Sequence, residues 1–131
     1  NVRGERVLRR NELLTHVFLP PAGGVRAATY EVRFKQSHDW PLAIASVALT
    51  QDGSRVTRAR VVMGAVAPVP WRVPAAEEAL AGKTISEAVA AEAAAAAVAG
   101  ATPMSHNRYK VQVARTAVKR AILRAAGMQT V

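Results

Sequence analysis

The alternation of polar and apolar residues predicts an antiparallel sheet that begins at Thr29. Neighbouring side chains alternate in character over residues 29–36, which is the two-residue period of a half-buried strand. One side of this strand would carry Tyr30, Val32, Phe34 and Gln36, and the more polar side would carry Thr29, Glu31, Arg33 and Lys35. Residues 42–50 are almost all apolar, which predicts a second strand buried on both faces. Pro41 marks the entry to this second strand, because proline has no N–H to donate.

A hairpin turn is predicted at Asp52 and Gly53, because an Asp-Gly pair between two extended runs favours a tight turn. The returning strand covers residues 55–63. Its helix-facing side should carry Thr57, Ala59, Val61 and Met63, and its other side Val56, Arg58, Arg60 and Val62. Pro68 and Pro70 then keep the chain extended.

A separate apolar run, residues 14–19, is a further strand candidate. Pro20 and Pro21 stop this run, and Gly23 and Gly24 supply a flexible turn before the sheet. The region before the sheet is therefore predicted to be a connecting segment.

Two helices are predicted after the sheet. The first covers residues 74–81 and stops at Gly82, since proline suits the first helical turn and glycine suits the position after the last one. Residues 84–87 have the form of a capping box, with Thr84 as the cap. The second helix should continue from this cap to about Ala99.

A third helix is predicted after Pro103 and should close at Gly127. Its apolar stripe has spacings of three and four residues and consists of Val111, Ala114, Ala117, Val118, Ala121, Ile122 and Ala125. Basic residues lie opposite or beside this stripe: Arg108, Lys110, Arg115, Lys119, Arg120 and Arg124. The predicted fold class is therefore α+β, with a small antiparallel sheet of three to four strands packed against a three-helix bundle.

Composition narrows the possible functions. With 131 residues the chain has the size of one domain, and the absence of cysteine excludes disulfides, thiolate metal sites, iron–sulfur ligation and a cysteine nucleophile within it. The alanine-rich run 88–101 contains Glu92 and is too short to span a membrane, so no membrane association is expected. Because the chain begins with Asn1 and has no signal peptide, we expect it to start partway through a longer protein.

The formal net charge is +9, and residues 108–131 carry six basic and no acidic residues. Such a surface attracts nucleic acid or an acidic protein partner. A basic nucleic-acid-binding module and a non-catalytic protein-interaction domain are therefore alternative functions. No helix-turn-helix pattern precedes the basic helix and no aromatic residues are interleaved with its charges, which makes nucleic acid the less favoured partner.

Catalytic motifs are absent from the sequence. His16, His38 and His106 have no metal-ligand spacing, and the sequence contains no hydrolase nucleophile elbow, phosphate-binding loop or dinucleotide-binding glycine motif. Neighbouring strand residues point to opposite faces, so His38 and Asp39 are expected to tie the segment between the first two strands rather than to form an acid–base pair.

Three blocks in this order, residues 34–49, 58–83 and 101–123, resemble the C-terminal domain of the FAD-binding (medium) subunit of molybdenum hydroxylases. This family includes xanthine dehydrogenase, aldehyde oxidoreductases and aerobic carbon monoxide dehydrogenase. The resemblance extends from about Leu8 to Leu123, and residues 107–111 look most like the aldehyde oxidoreductase type. It implies the same small sheet covered by three helices.

The resemblance also implies a role in electron transfer. In this family, electrons pass from a molybdenum cofactor in a large subunit through 2Fe-2S clusters in a small subunit to FAD. It implies that Leu14 lines the flavin site and that Lys35 approaches FAD from the polar side of its strand. The glycine-rich segments that hold the FAD pyrophosphate are not in this sequence, so FAD would be bound mainly by the N-terminal region of the same subunit.

The resemblance further divides the chain. Residues 1–20 would be the end of the FAD-binding region or a connecting segment, and residues 21–131 the C-terminal domain. The expected partners are that FAD-binding region and the molybdenum and iron–sulfur subunits. A cytoplasmic location is expected, or a periplasmic one within an exported complex, and the isolated chain is not expected to be catalytic.

Overall fold

The described part of the chain contains four strands and three helices. The computed structural model describes residues 7–35 and 38–130. The elements are β1 (Val25–Val32), β2 (Ala43–Asp52), β3 (Arg55–Gly64), β4 (Trp71–Arg72), α1 (Pro74–Leu80), α2 (Glu87–Val98) and α3 (Tyr109–Ala125). The strands form one antiparallel sheet in the order β1-β2-β3-β4, and the helices share a core with one of its faces. The predicted α+β class is confirmed.

The hairpin between β2 and β3 forms where the sequence predicted it, with Gly53 at φ +56° in the turn. A β-bulge after Thr50 shifts the register of the two strands. The prediction was right for Ala59, Val61 and Met63, which are buried towards the helices. It was wrong for Val56, which is buried, and for Thr57, which is exposed, because the extra residue of the bulge reverses the alternation.

Only one face of β2 is fully buried. Its helix-facing side chains are Ala43, Ala45, Val47 and Leu49. The prediction of burial on both faces was wrong, since Ile44, Ser46 and Ala48 on the opposite face are only partly buried. The helices cover a single side of the sheet, so the other side, here called the open face, keeps access to solvent.

Strand β1 has the predicted length but begins and ends four residues earlier than predicted. It ends at Val32, and Phe34 is 77% exposed instead of facing the core. Gln36, which was predicted to share that face, lies outside the described residues. Tyr30 and Val32 pack against the core as predicted.

The strand predicted over residues 14–19 does not form. This segment is exposed and pairs with no strand among the described residues, although Leu14, Val17, Phe18 and Leu19 are apolar. A strand is stable only when its N–H and C=O groups find partners, which explains why the apolar pattern alone does not produce one here.

The first two helices match their predicted ends closely. Gly82, at φ +72°, follows α1. The cap of α2 is Ser86, whose Oγ accepts a hydrogen bond from the Val89 N–H at 3.2 Å. The prediction of Thr84 as the cap was wrong because Thr84 instead forms a β-bridge with Arg55.

Helix α3 places its predicted stripe in the core from Ala114 onward, whereas Val111 is only partly buried. Gly127 at φ +80° ends it, with its N–H bonded to the Arg124 carbonyl and the Met128 N–H bonded to the Leu123 carbonyl. Helix α2 packs against both α1 and α3, and its buried residues are the small side chains Ala90, Ala93 and Ala94. None of the helices in the described residues has the length and apolar character needed to cross a membrane.

Candidate functional site

Lys35 lies in a turn just beyond β1, not on the strand that the sequence predicted. The carboxylate of Asp39 shapes this turn, since its Oδ2 accepts the backbone N–H of Phe34 at 3.1 Å and that of Lys35 at 3.0 Å. An Asx side chain that bonds nearby backbone groups stabilises a turn. The prediction that Asp39 ties this segment is confirmed, and Asp39 is the residue that positions Lys35.

Lys35 belongs to the polar row of the predicted first strand, which also contains Thr29, Glu31 and Arg33. Part of the charge of this row is neutralised by an ion pair inside the row. Arg33 forms an ion pair with Glu31, and the Thr29 hydroxyl lies 2.9 Å from the Ser46 hydroxyl on β2. Lys35 is exposed and makes no ion pair within residues 7–35 and 38–130. Its ammonium group is therefore the available cation of this row.

Leu14 is 63% exposed in the segment that precedes the sheet. Leu14 and Lys35 lie on separate segments, and neither lines the two grooves described below. The described residues therefore do not enclose either side chain. Both are accessible to a molecule that approaches from outside this chain.

Tyr30 connects the base of the Lys35 turn to α3. Arg120 donates a hydrogen bond to its hydroxyl, and the Arg124 guanidinium carbon lies 4.5 Å from the centroid of its ring. A guanidinium over an aromatic ring is attracted by the ring's negative face. The sequence placed Tyr30 inward, Arg120 opposite the apolar stripe of α3 and Arg124 near that stripe. The pairing itself required the packing of β1 on α3.

Glu77 is a second site that sequence reasoning missed. It is only 8% exposed, and it accepts hydrogen bonds from two arginines and one backbone amide. Arg72 reaches its Oε1 through Nε at 3.0 Å and its Oε2 through Nη2 at 2.7 Å. Arg60 Nη1 lies 3.2 Å from Oε2, and the Val61 N–H donates to Oε1 at 3.1 Å.

This arrangement closes the edge of the sheet. The Val73 N–H still bonds to the Val61 carbonyl, but the chain then turns into α1 and leaves the Val61 N–H without a strand partner. The Glu77 carboxylate takes that place. The hydrogen bond from Arg72 lowers the pKa of the Glu77 carboxyl, and the Val61 N–H lowers it further, whereas burial acts in the opposite direction. The one signal in the sequence was an acidic residue in the first turn of α1.

Two grooves flank α3. The polar one, about 500 Å³ in volume, lies against α2 and contains Arg115, Lys119 and Arg120. Lys119 pairs with Glu87 and Arg120 bonds to Tyr30, so part of its positive charge is already engaged. The other, here called the Trp71 groove, has a volume of about 480 Å³. Its lining includes Met63, Trp71, Val98, Pro103, Asn107 and Val111.

A family model described as the CO dehydrogenase flavoprotein C-terminal domain matches residues 28–125. The chain belongs to this family. The match begins within β1 at Ala28 and covers β2, β3, β4 and all three helices. The sequence predicted these elements except β4. The suspected relationship to molybdenum hydroxylases is confirmed.

Solved structures agree with this assignment. Quinoline 2-oxidoreductase from Pseudomonas putida 86 is 30% identical over 82% of this chain, with a TM-score of 0.75. A carbon monoxide dehydrogenase from Hydrogenophaga pseudoflava, in a form that lacks the Mo-pyranopterin moiety of the molybdenum cofactor, is 35% identical over 81%, with a TM-score of 0.70. Reconstituted CO dehydrogenase from Oligotropha carboxidovorans is 28% identical over 85%, with a TM-score of 0.72.

The matched part is a fraction of each solved protein. This chain covers 39% of the quinoline 2-oxidoreductase chain, 38% of the Hydrogenophaga chain and 40% of the Oligotropha chain. The similarity therefore establishes the domain and its family, while the activity of a complete enzyme belongs to the proposal that follows.

Proposed function

We propose that this domain closes one side of the FAD site in the flavoprotein subunit of a molybdenum-containing hydroxylase. The match of residues 28–125 to the flavoprotein family carries the proposal. Residues 1–20 are then the end of the FAD-binding region or its connection to this domain, and residues 21–131 are the C-terminal domain. The family membership favours this function over a nucleic-acid-binding module.

Lys35 is the proposed polar contact to FAD. Its exposed ammonium group stands on a turn whose backbone is held by Asp39, so the charge is presented from a defined position. An ammonium group stabilises an anionic or strongly accepting part of a cofactor through a charge-assisted hydrogen bond. Leu14 is the proposed apolar contact, and its exposure leaves its side chain free for that role.

These residues fit one wall of a flavin site and not a complete cradle. Neither Leu14 nor Lys35 lines one of the two grooves beside α3, and the described residues enclose neither side chain. Most of the contacts to FAD would come from the N-terminal region of the same subunit. FAD, when bound, would be the electron acceptor at the end of the electron-transfer chain within the enzyme.

The other partners are a large subunit with the molybdenum cofactor and a small subunit with 2Fe-2S clusters. Electrons would pass from molybdenum through the iron–sulfur clusters to FAD. The sequence has no cysteine, and the described residues contain no cluster of metal-ligating side chains. In this proposal the metal centres therefore lie in the partner subunits. In this proposal the domain positions FAD, shields one side of it and docks the partner subunits.

The test compares FAD binding by this chain with FAD binding by the complete flavoprotein subunit. The 131-residue chain mixed with FAD should retain little flavin absorbance after gel filtration, and the complete flavoprotein subunit should retain about one FAD per subunit. Tight FAD binding by this chain alone, or none by the complete subunit, would contradict the proposal.

A further inference from the structure

Two large aromatic side chains near Lys35 are exposed in the loop between β1 and β2. Phe34 is 77% exposed and Trp40 is 90% exposed. Phe34 precedes Lys35 in the sequence, and Trp40 follows Asp39, the residue whose carboxylate holds the Lys35 turn. Exposed apolar side chains that occur together mark binding sites in folded proteins. The Lys35 turn therefore presents apolar surface as well as a charge.

The core of the domain does not use these two rings. Tyr30 and Val32, which precede the loop, pack against the core. Phe34 and Trp40 belong neither to the buried core of the described residues nor to the partly buried side chains around it. Covering apolar area that water contacts stabilises a complex, and aromatic rings offer a large area of this kind. Both rings are therefore available to a ligand without repacking of the domain.

Backbone contacts keep the described parts of this loop together. Asp39 Oδ2 lies 3.1 Å from the Phe34 nitrogen and 3.0 Å from the Lys35 nitrogen, so its side chain joins the two sides of the loop. At the base of the loop the Leu42 N–H donates to the Val32 carbonyl at 2.7 Å. A planar ligand that touches the Lys35 ammonium group can therefore also contact an aromatic ring of the same loop.

The occupant that fits this combination is a planar aromatic ring with polar atoms along its edge. An indole or phenyl side chain stacks on a flat π-system, and Lys35 can donate a hydrogen bond to an acceptor at its edge. Arg33 is paired with Glu31, so a polyanion such as nucleic acid would find little free positive charge in this row. The isoalloxazine ring of FAD is planar and aromatic, and its edge carries oxygen and nitrogen acceptors.

We propose that the indole of Trp40 packs against the isoalloxazine ring of FAD while Lys35 contacts the edge of that ring, and that Phe34 extends the same apolar wall. This inference rests on the proposed function, because that function places FAD at Lys35. It goes further by assigning the contact with the ring to an aromatic side chain of this domain. Such a contact excludes water from one face of the ring and adds to the affinity for FAD.

The test measures FAD affinity and flavin fluorescence in variants of the complete flavoprotein subunit. An indole in contact with an excited flavin quenches its emission by transferring an electron that then returns, whereas leucine and phenylalanine side chains do not. Trp40→Leu should therefore raise the emission of bound FAD severalfold and weaken FAD binding roughly fivefold to tenfold, since it removes a stacked ring. Trp40→Phe keeps an aromatic ring, so it should hold the affinity within about twofold of the wild type and still raise the emission.

The matched control is Trp71→Leu, which removes the other tryptophan of this chain. Trp71 lies on β4, at the opposite edge of the sheet from β1. This variant should leave both the emission and the FAD affinity unchanged. Because the Trp40 side chain is almost fully exposed in the domain, its replacement should also leave the melting temperature of the subunit unchanged.

The emission decides the result. A rise in both Trp40 variants but not in Trp71→Leu supports the inference. Emission of bound FAD that is the same in the Trp40 variants as in the wild type overturns it, even if the affinity falls, since Trp40 would then pack on protein and not on the flavin. A rise of equal size in Trp71→Leu overturns it as well. If Trp40→Leu holds too little FAD to measure, Trp40→Phe decides.

The inference and the proposed function fail in different ways. If the wild-type subunit retains FAD and the Trp40 variants keep the wild-type emission, the Trp40 contact alone is wrong. If the wild-type subunit retains no FAD, the proposed function is wrong and the Trp40 contact is wrong with it.

Discussion

Arg72 donates two hydrogen bonds to the carboxylate of Glu77, from Nε to Oε1 at 3.0 Å and from Nη2 to Oε2 at 2.7 Å. This pair joins the last residue of β4 to the first turn of α1. Because Glu77 also accepts the Val61 N–H, one carboxylate of α1 bonds to both β3 and β4. The edge of the sheet thus depends on a single buried acid.

We expect Glu77→Ala to lower the free energy of unfolding by about 2 kcal/mol, because it leaves the Val61 N–H unpaired and removes the acceptor of two arginines. Urea denaturation of the chain measures this change. Glu78→Ala, on the exposed side of the same helix, is the control and should stay within roughly 0.5 kcal/mol of the wild type. Equal losses in the two variants would show that the Glu77 contacts do not stabilise the fold.

The stability contributed by Glu77 should depend on pH. The pKa of this carboxyl is lower in the folded chain than its ordinary value of 4.5, so the folded state binds the proton less readily than the unfolded state. The contribution is complete above the unfolded pKa and is lost as the pH falls through the folded pKa. Unfolding free energies measured from neutral to acid pH should therefore show wild type and Glu77→Gln converging in acid; parallel curves would contradict the lowered pKa.

Lys35→Ala should weaken FAD retention by the complete flavoprotein subunit roughly tenfold, the usual effect of losing one charge-assisted hydrogen bond. Flavin absorbance after dialysis against FAD-free buffer measures the retention. Lys83→Ala removes a lysine from the connection between α1 and α2 and should leave flavin occupancy unchanged. Unchanged occupancy in Lys35→Ala as well would remove Lys35 from the site.

Asp39 should act on FAD through the position of Lys35. Asp39→Ala removes the acceptor of the Phe34 and Lys35 amides, so the turn loosens and FAD retention falls by less than in Lys35→Ala. Asp39→Asn keeps a side-chain oxygen and should restore most of the retention. If Asp39→Asn lost as much FAD as Asp39→Ala, the negative charge and not the turn would be the important property.

Two variants should separate the contribution of the Tyr30 hydroxyl from that of the Tyr30 ring. Tyr30→Phe removes the hydrogen bond from Arg120 but keeps the ring under Arg124, and should destabilise the chain by about 0.5–1 kcal/mol. Tyr30→Leu also removes the ring and should cost more. Thermal unfolding compares the two variants, and equal effects would mean that the ring contributes nothing beyond its volume.

Much of the fold was predictable because its signals are local. The Gly53 turn, the ends of α1 and α3 and the buried stripe of α3 follow from backbone angles that only certain residues adopt and from the helical period. The predictions failed where a distant residue intervened. Thr84 pairs with Arg55 instead of capping α2, and the bulge after Thr50 moves Val56 into the core.

The sequence by itself determined three of the four strands, the three helices and the family. Leu14 and Lys35 remain predictions that rest on the family resemblance. Only the tertiary structure decided that Glu77 closes the sheet edge and that Trp71 and Asn107 share a groove. The physical reason is the distance along the sequence over which each interaction acts. Periodicity and turn preference act over a few neighbouring residues, whereas these contacts join segments whose meeting depends on how the sheet and the helices pack.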